Sequence, residues 1–221
     1  MVTAYNEDFI HVLPADIEAT SMAIIEAELP HRLDPVLAPV IKRVIHATAD
    51  FEYADTLTFS KGAVDIAHDA LRQGATIVTD TMMAQAGINA QSLTELRCRT
   101  QCFMADPETA AQAQANGTTR AVASMDRIAT LSSPVIIAIG NAPTALVRVH
   151  DLITAGVIHP ALVIGVPVGF VNVIPAKNLI ASTQVPHIVN QGRKGGSTVA
   201  AAIVNALMLS ALDTPLKSNP K

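Results

Sequence analysis

The feature that most constrains the fold is the alternation of short apolar runs with segments of helical periodicity between about residues 56 and 209. Strands covered on both faces read as continuous apolar runs, and strands joined through helices pair in parallel by right-handed crossovers. The sequence therefore predicts an α/β fold with three layers, α/β/α, built on a mostly parallel sheet. The runs that predict strands are 56–60, 75–80, 97–103, 134–140, 160–166 and 186–191.

Segments with apolar residues at helical spacing lie between these runs, and two more precede them. The N-terminal helices are predicted at about 15–29 and 34–50. The others are predicted at 62–74, 106–117, 119–131, 143–156, near 175–183 and at 196–209. No linker, low-complexity tract or internal repeat divides the sequence, so residues 1–221 are expected to form a single domain.

Composition excludes several classes of function. The net charge is −4 and aromatic residues make up 3% of the chain, so neither a basic groove nor a stacking platform for nucleic acid is expected. No apolar run reaches the roughly 18 residues of a membrane span. The N-terminal stretch contains Glu7 and Asp8 and lacks the apolar core of a signal peptide. We therefore expect a cytoplasmic protein with no nucleic-acid or membrane partner.

The two cysteines do not predict a metal site. Cys98 and Cys102 are separated by three residues, whereas zinc sites use closer pairs and usually two of them. A disulfide between the two cysteines is the weaker alternative, and free thiols, buried or half-buried, are the expectation for a reducing compartment.

Ligands of parallel α/β sheets bind beyond the carboxyl ends of the strands. Four segments that follow predicted strands are rich in Gly, Pro, Asn or Thr, at 79–87, 140–144, 165–172 and 190–198. The last of them, NQGRKGGST, places Arg193 and Lys194 in a Gly-rich turn before a helix start, which predicts an anion site. It matches neither the Walker A nor the dinucleotide-binding fingerprint, and a plain turn with two solvated cations is the alternative.

Two other helix starts are candidates for binding. In IGNAPTAL (139–146), Pro143 follows a strand, and the free N–H groups there are expected either to hold a carboxylate or carbonyl or to be capped in the ordinary way. Arg120 begins the helix at 119–131, where a cation opposes the helix dipole. Its charge is therefore expected to serve a ligand or a salt bridge.

The helix at 34–50 carries a cation, an imidazole and a carboxylate on one side. Arg43, His46 and Asp50 fall within roughly 60° of one another, opposite an apolar stripe. They form either a solvated polar face or one wall of a pocket, and the absence of Lys–Glu pairs in IHATAD favours the pocket. Asp50 is expected either to orient the histidine or to be structural. Together these patterns predict several anion sites around one acid/base histidine, and hence a multiply anionic ligand.

Six motifs in one order resemble the precorrin-8X methylmutase family of cobalamin biosynthesis, also called cobalt-precorrin-8 methylmutase. The resemblance covers about residues 17–207. The motifs are IEATSMAII (17–25), RVIHATADFEY (43–53), TDTMMAQAGI (79–88), IGNAPTAL (139–146), GVPVGFVN (165–172) and GRKGGSTVAAAIVNAL (192–207).

The resemblance implies an isomerase that moves a methyl group from ring carbon 11 to ring carbon 12 of a corrinoid, giving hydrogenobyrinic or cobyrinic acid. It implies a Rossmann-like subunit, a homodimer, no external cofactor and no metal. The mean hydropathy of +0.36 also favours a partner that covers apolar surface. His46 matches the family's catalytic histidine. The residues expected to bind the corrinoid substrate and product are Ser21, Arg43, Thr81, Arg120, Asn141, Lys177, Arg193 and Lys194.

Two neighbouring positions depart from the family. Pro175 and Ala176 stand where the family usually has Glu and Ser, so no ligand contact is expected from them, while Lys177 is kept. Two other functions are compatible with parts of the sequence. A non-catalytic tetrapyrrole carrier would keep the anion sites without needing His46. A nucleotide-binding α/β enzyme would bind phosphate at 192–198, but it predicts a fingerprint that the sequence lacks.

Overall fold

The computed structural model describes residues 12–132 and 134–213, and their strands form one sheet. The strands are β1 (Leu57–Phe59), β2 (Thr76–Thr79), β3 (Arg99–Gln101), β4 (Val135–Ile139), β5 (Leu162–Gly165) and β6 (His187–Asn190). Their order is β1-β6-β5-β4-β2-β3. Strands β2 to β6 pair in parallel, and β1 alone pairs antiparallel, with β6. The predicted mostly parallel sheet is confirmed.

Helices occupy both faces of the sheet. Those described are α1 (Ile17–Glu28), α2 (Ala38–Thr48), α3 (Tyr53–Thr56), α4 (Ala63–Arg72), α5 (Met82–Ala86), α6 (Ala90–Glu95), α7 (Pro107–Ala115), α8 (Arg120–Asp126), α9 (Pro143–Thr154), α10 (Val173–Ala181) and α11 (Ser197–Asp213). All the helices predicted from periodicity are present. The sequence reasoning missed α3, α5 and α6, which are four to six residues long.

The strand residues alternate between two hydrophobic cores. In β4, Ile136 and Ala138 join the core that also holds residues of α1, α2, α4 and α11. Val135, Ile137 and Ile139 join the core that holds residues of α8, α9 and α10. Every residue of β4 is buried, which explains why the strand reads as an unbroken apolar run. The three-layer prediction is confirmed.

Some boundaries differ from the prediction for local reasons. Helix α2 begins at Ala38 rather than near Asp34, because residues 34–37 form a turn in which the Asp34 carboxylate accepts the Val36 N–H at 2.8 Å. It ends at Thr48, because Ala49 has a left-handed backbone with φ of 52°. The segment 79–87, predicted as a loop, contains α5, whose first turn is capped by the Thr81 hydroxyl.

Both cysteines are free thiols; Cys98 is buried and Cys102 half-buried. Within the two described stretches, no helix combines the length and apolar character needed to cross a bilayer. Residues 1–11, which carry Glu7 and Asp8 and the prediction about a signal peptide, lie outside the described residues.

Candidate active site

Helix α2 turns its polar side away from the core. Val40, Ile41, Val44 and Ile45 are buried beneath it. Arg43 is half-buried and His46 is exposed, with Asp50 half-buried just beyond the helix end. The three residues therefore share a face, as the helical spacing predicts.

Helix α1 lies beside this face and supplies a partner that the sequence reasoning missed. The Glu18 carboxylate accepts a hydrogen bond from the Arg43 guanidinium at 2.6 Å. That bond and the charge of Arg43 lower the pKa of Glu18, and the charge of His46 acts in the same direction. Ser21 follows one turn later and donates its hydroxyl to the Ile17 carbonyl of its own helix at 2.9 Å. Glu18 belongs to the IEATSMAII motif, and its place in that motif could have identified it as a residue of the candidate site.

A second ion-pair cluster lies at the other end of α2. The Lys194 ammonium contacts the Asp50 carboxylate at 2.6 Å and also contacts Glu52. The hydrogen bond from Lys194 lowers the pKa of Asp50, and the two carboxylates raise the pKa of Lys194. The Asp50 carboxylate thus accepts from Lys194 and from the Glu52 N–H, which favours the structural role over orientation of His46.

The four segments predicted to carry the site meet at the carboxyl edge of the sheet. The Thr81 hydroxyl bonds the Ser197 hydroxyl at 2.8 Å, which joins the segment after β2 to the start of α11. The Gly196 N–H donates to the Val166 carbonyl at 2.9 Å, and the Gly169 N–H donates to the Arg193 carbonyl at 3.2 Å. These bonds connect the segments after β2, β5 and β6 into one surface.

Two glycines permit this close packing. A Cβ on Gly140 would lie 2.8 Å from the backbone nitrogen of Ser197, and one on Gly195 would overlap the Val166 carbonyl oxygen. Real Cβ atoms do not approach backbone so closely, so any side chain here would push the segments apart. Gly140 and Gly195 are therefore required by the contact between segments.

The Asp80 carboxylate organises the segment after β4, and the sequence reasoning missed it. It is 1% exposed and accepts the N–H groups of Gly140, Asn141 and Ala142 at 2.7–2.8 Å. Burial raises the pKa of Asp80, while the three N–H groups act in the opposite direction. Of the two alternatives given for these N–H groups, the geometry favours satisfaction within the protein, because the Asp80 carboxylate accepts all three. The Asn141 side chain remains exposed beside them.

The remaining predicted binding residues differ in exposure. Arg193 is exposed, with its guanidinium carbon 5.5 Å from the centre of the Phe170 ring. Arg120 is exposed at the first position of α8, on the side of the sheet opposite α2. Lys177 is 1% exposed, and its ammonium donates to the carbonyls of Gly192 and Lys194 at 2.9 and 2.8 Å. Pro175 is exposed and Ala176 buried in the same helix.

A cavity of about 350 Å³ lies between α1, α2 and α11. Arg43 contributes to its wall and His46 does not. His46 lies on the exposed surface of α2, between the Arg43–Glu18 pair and the Lys194 cluster, and its place in the wall of a pocket stays a prediction. Such an arrangement can present a proton donor to a large, flat anionic ligand.

Comparison with known proteins identifies the family. The family profile described as precorrin-8X methylmutase matches residues 16–210. The cobalt-precorrin-8 methylmutase of Leptospira interrogans is 40% identical over 89% of this chain and 94% of that protein. The enzyme of the same description from Salmonella typhimurium is 42% identical over 88% of this chain and 94% of that protein.

A solved structure agrees with these sequence matches. The precorrin-8X methylmutase structure from Thermus thermophilus superposes with a TM-score of 0.83 at 40% identity, covering 90% of this chain and 98% of that one. On both sequence and structure, the chain belongs to the precorrin-8X methylmutase family.

Proposed function

We propose that the protein moves a methyl group from ring carbon 11 to ring carbon 12 of precorrin-8X or cobalt-precorrin-8, with His46 as the proton donor. Family membership supports the reaction. The observation that carries the role of His46 is its exposure on α2 between two clusters of paired cations. Imidazole is the side chain best suited to proton transfer near neutral pH.

The proposed reaction requires two things of the protein, a proton donor and a rigid surface that fixes the ring. The carbon–methyl bond breaks at one ring carbon and forms at the next within the same molecule, so no external group is consumed. His46 donates a proton to the ring near the migrating methyl group and recovers it afterwards. Fixing the ring over the imidazole makes the transfer effectively intramolecular, which is a large source of rate enhancement.

The cations around His46 are proposed to bind the carboxylates of the corrinoid. The Arg43 guanidinium forms an ion pair with Glu18, and a carboxylate of the substrate would replace Glu18 as its partner. Arg193 and Asn141 are exposed on the surface formed by the loops, and Lys194 lies at its border with α2. Ser21 and Thr81 would contribute hydroxyl groups, and Arg120 would contact only a ligand that extends across the edge of the sheet.

The test is single-turnover kinetics on His46→Ala, followed by the change in the corrinoid absorption spectrum. A general acid contributes about 10²–10⁴-fold to the rate, so the variant is expected to lose that much while still binding the product. His159→Ala, which changes another exposed histidine, is the matched control and should keep the wild-type rate.

Two results would contradict the proposal. A His46→Ala rate within threefold of wild type would exclude the acid role. Product binding by the wild-type protein without any turnover would instead indicate the tetrapyrrole carrier.

We also propose that the enzyme is a homodimer. The open position of His46 and several exposed apolar side chains support it; Met83, Phe170 and Val171 are 70%, 83% and 78% exposed. Apolar side chains exposed together often mark an interface. Light scattering at micromolar concentration should give twice the mass of one chain, and the mass of a single chain would refute the dimer.

A further inference from the structure

Lys177 is a buried cation without a buried anion. It is 1% exposed in α10, between the buried side chains of Val173, Ala176 and Ile180. Among residues 12–132 and 134–213, no carboxylate forms an ion pair with it. An unpaired buried charge costs free energy that an apolar side chain of similar size would not, so stability alone does not account for a lysine here.

The ammonium of Lys177 instead holds the backbone of residues 191–196, which we call the glycine loop. It donates to the carbonyls of Gly192 and Lys194. The amide of Asn190, also buried, donates to the Lys194 carbonyl at 3.0 Å. Gly192, Gly195 and Gly196 all have positive φ, so this loop has wide conformational freedom that these donors restrict.

The glycine loop carries the contact to the catalytic helix. The Lys194 carbonyl is held from within by Lys177, while the Lys194 ammonium is held by Asp50 and Glu52 just after α2. His46 lies in the last turn of α2. A continuous path of polar contacts therefore runs from Lys177 through Lys194 to the segment that follows His46.

We propose that Lys177 is a positioning residue for methyl migration, which fixes the glycine loop so that Lys194 holds the end of α2 and His46 at the correct place over the corrinoid. This rests on the proposed function of His46. It differs from a direct role in substrate binding, because the ammonium is buried and both of its observed partners are protein carbonyls.

The first measurement does not depend on activity. In Lys177→Met, the charge is removed and the length of the side chain is kept. Hydrogen exchange of the Gln191 and Gly196 amides, which donate to the carbonyls of Thr56 and Val166, is expected to accelerate at least tenfold, with exchange in β4 and β5 unchanged. The urea midpoint should stay the same or rise, since a buried charge has been removed. Lys61→Met, at an exposed lysine, is the control and should leave the loop unchanged.

The second measurement is the effect on kcat. Lys177→Met is expected to lower kcat by about 10- to 100-fold, and the losses from Lys177→Met and Lys194→Ala should overlap in the double variant, because both act through one loop. Lys177→Arg, which keeps a cation, should recover part of kcat.

Unchanged loop exchange, or kcat within twofold of wild type, would overturn the inference, as would a kcat loss accompanied by a lower urea midpoint and faster exchange throughout the molecule. An inactive wild-type enzyme would refute the proposed function instead, and the exchange experiment would still decide the role of Lys177 in the loop.

Discussion

The buried carboxylate of Asp80 allows a quantitative test of what stabilises the segment after β4, at the carboxyl ends of the strands. Asp80→Asn keeps the shape of the side chain and removes its charge. In the wild type, one oxygen accepts the Gly140 N–H and the other accepts those of Asn141 and Ala142. The best placement of the new amide keeps its oxygen on the latter pair and turns its NH₂ group toward Gly140.

The cost follows from this geometry. One buried N–H loses its acceptor, at about 1–3 kcal/mol, and two charge-assisted bonds become neutral ones, at about 1 kcal/mol each. Removing the buried charge offsets part of this, because burial raises the pKa of Asp80. We expect Asp80→Asn to lower the free energy of unfolding by about 2–4 kcal/mol.

Urea unfolding followed by circular dichroism at one fixed protein concentration measures this loss, with an unchanged m value as the check that the unfolding transition is the same. Asp16→Asn, at an exposed aspartate, is the control and should change the midpoint little. A loss below about 1 kcal/mol for Asp80→Asn would show that the three N–H groups do not depend on the carboxylate.

Three further outcomes are expected. Gly140→Ala should cost about 1–3 kcal/mol in the same titration, because its methyl group meets the backbone of Ser197; an unchanged midpoint would contradict this. Burial lowers the pKa of Lys177 to about 8. In the unfolded chain this lysine keeps its proton to about pH 10.4, so the folded state alone loses the proton between the two values. The free energy of unfolding of wild type should therefore rise by up to about 3 kcal/mol relative to that of Lys177→Met between pH 8 and 10, measured in parallel urea titrations. A difference that falls over this range would refute the lowered pKa. Calorimetry should show product binding weakened by about 1–3 kcal/mol in Arg43→Ala and not weakened in Glu18→Gln; equal losses in both would argue against exchange of carboxylates on Arg43.

The parts of the fold that follow from local pattern were predictable. Residues 135–139 are apolar and bounded by Pro134 and Gly140, so both the strand and its burial follow from composition. Helices α5 and α6 were not predictable, because they are shorter than two turns and because their first turns depend on caps from Thr81 and Asn89. The antiparallel pairing of β1 with β6 could not be predicted either, because the sequence of a three-residue strand does not indicate whether it pairs in parallel or antiparallel.

The candidate site was predictable as far as side chains sharing one element. Arg43 and His46 share a face because they are three residues apart on one helix. The hydrogen-bond partners that complete the candidate site lie far apart in the sequence. Glu18 is 25 residues from Arg43, and Asp80 is 60 from Gly140. Such pairs depend on the packing of one helix on another and on the order of strands, which periodicity does not encode.

The position of α11 has a consequence for how the chain folds during synthesis. This helix is buried along most of its length, and its Ala-rich surface packs in one core with α1, α2 and α4. Helices α1 and α2 are therefore made long before the element that completes their core. Until residues 197–213 leave the ribosome, the apolar side of α2 is open to solvent and to chaperones. We infer that helix α2 acquires its full packing only after residues 197–213 have been made, later than the strands and helices that precede them in the sequence.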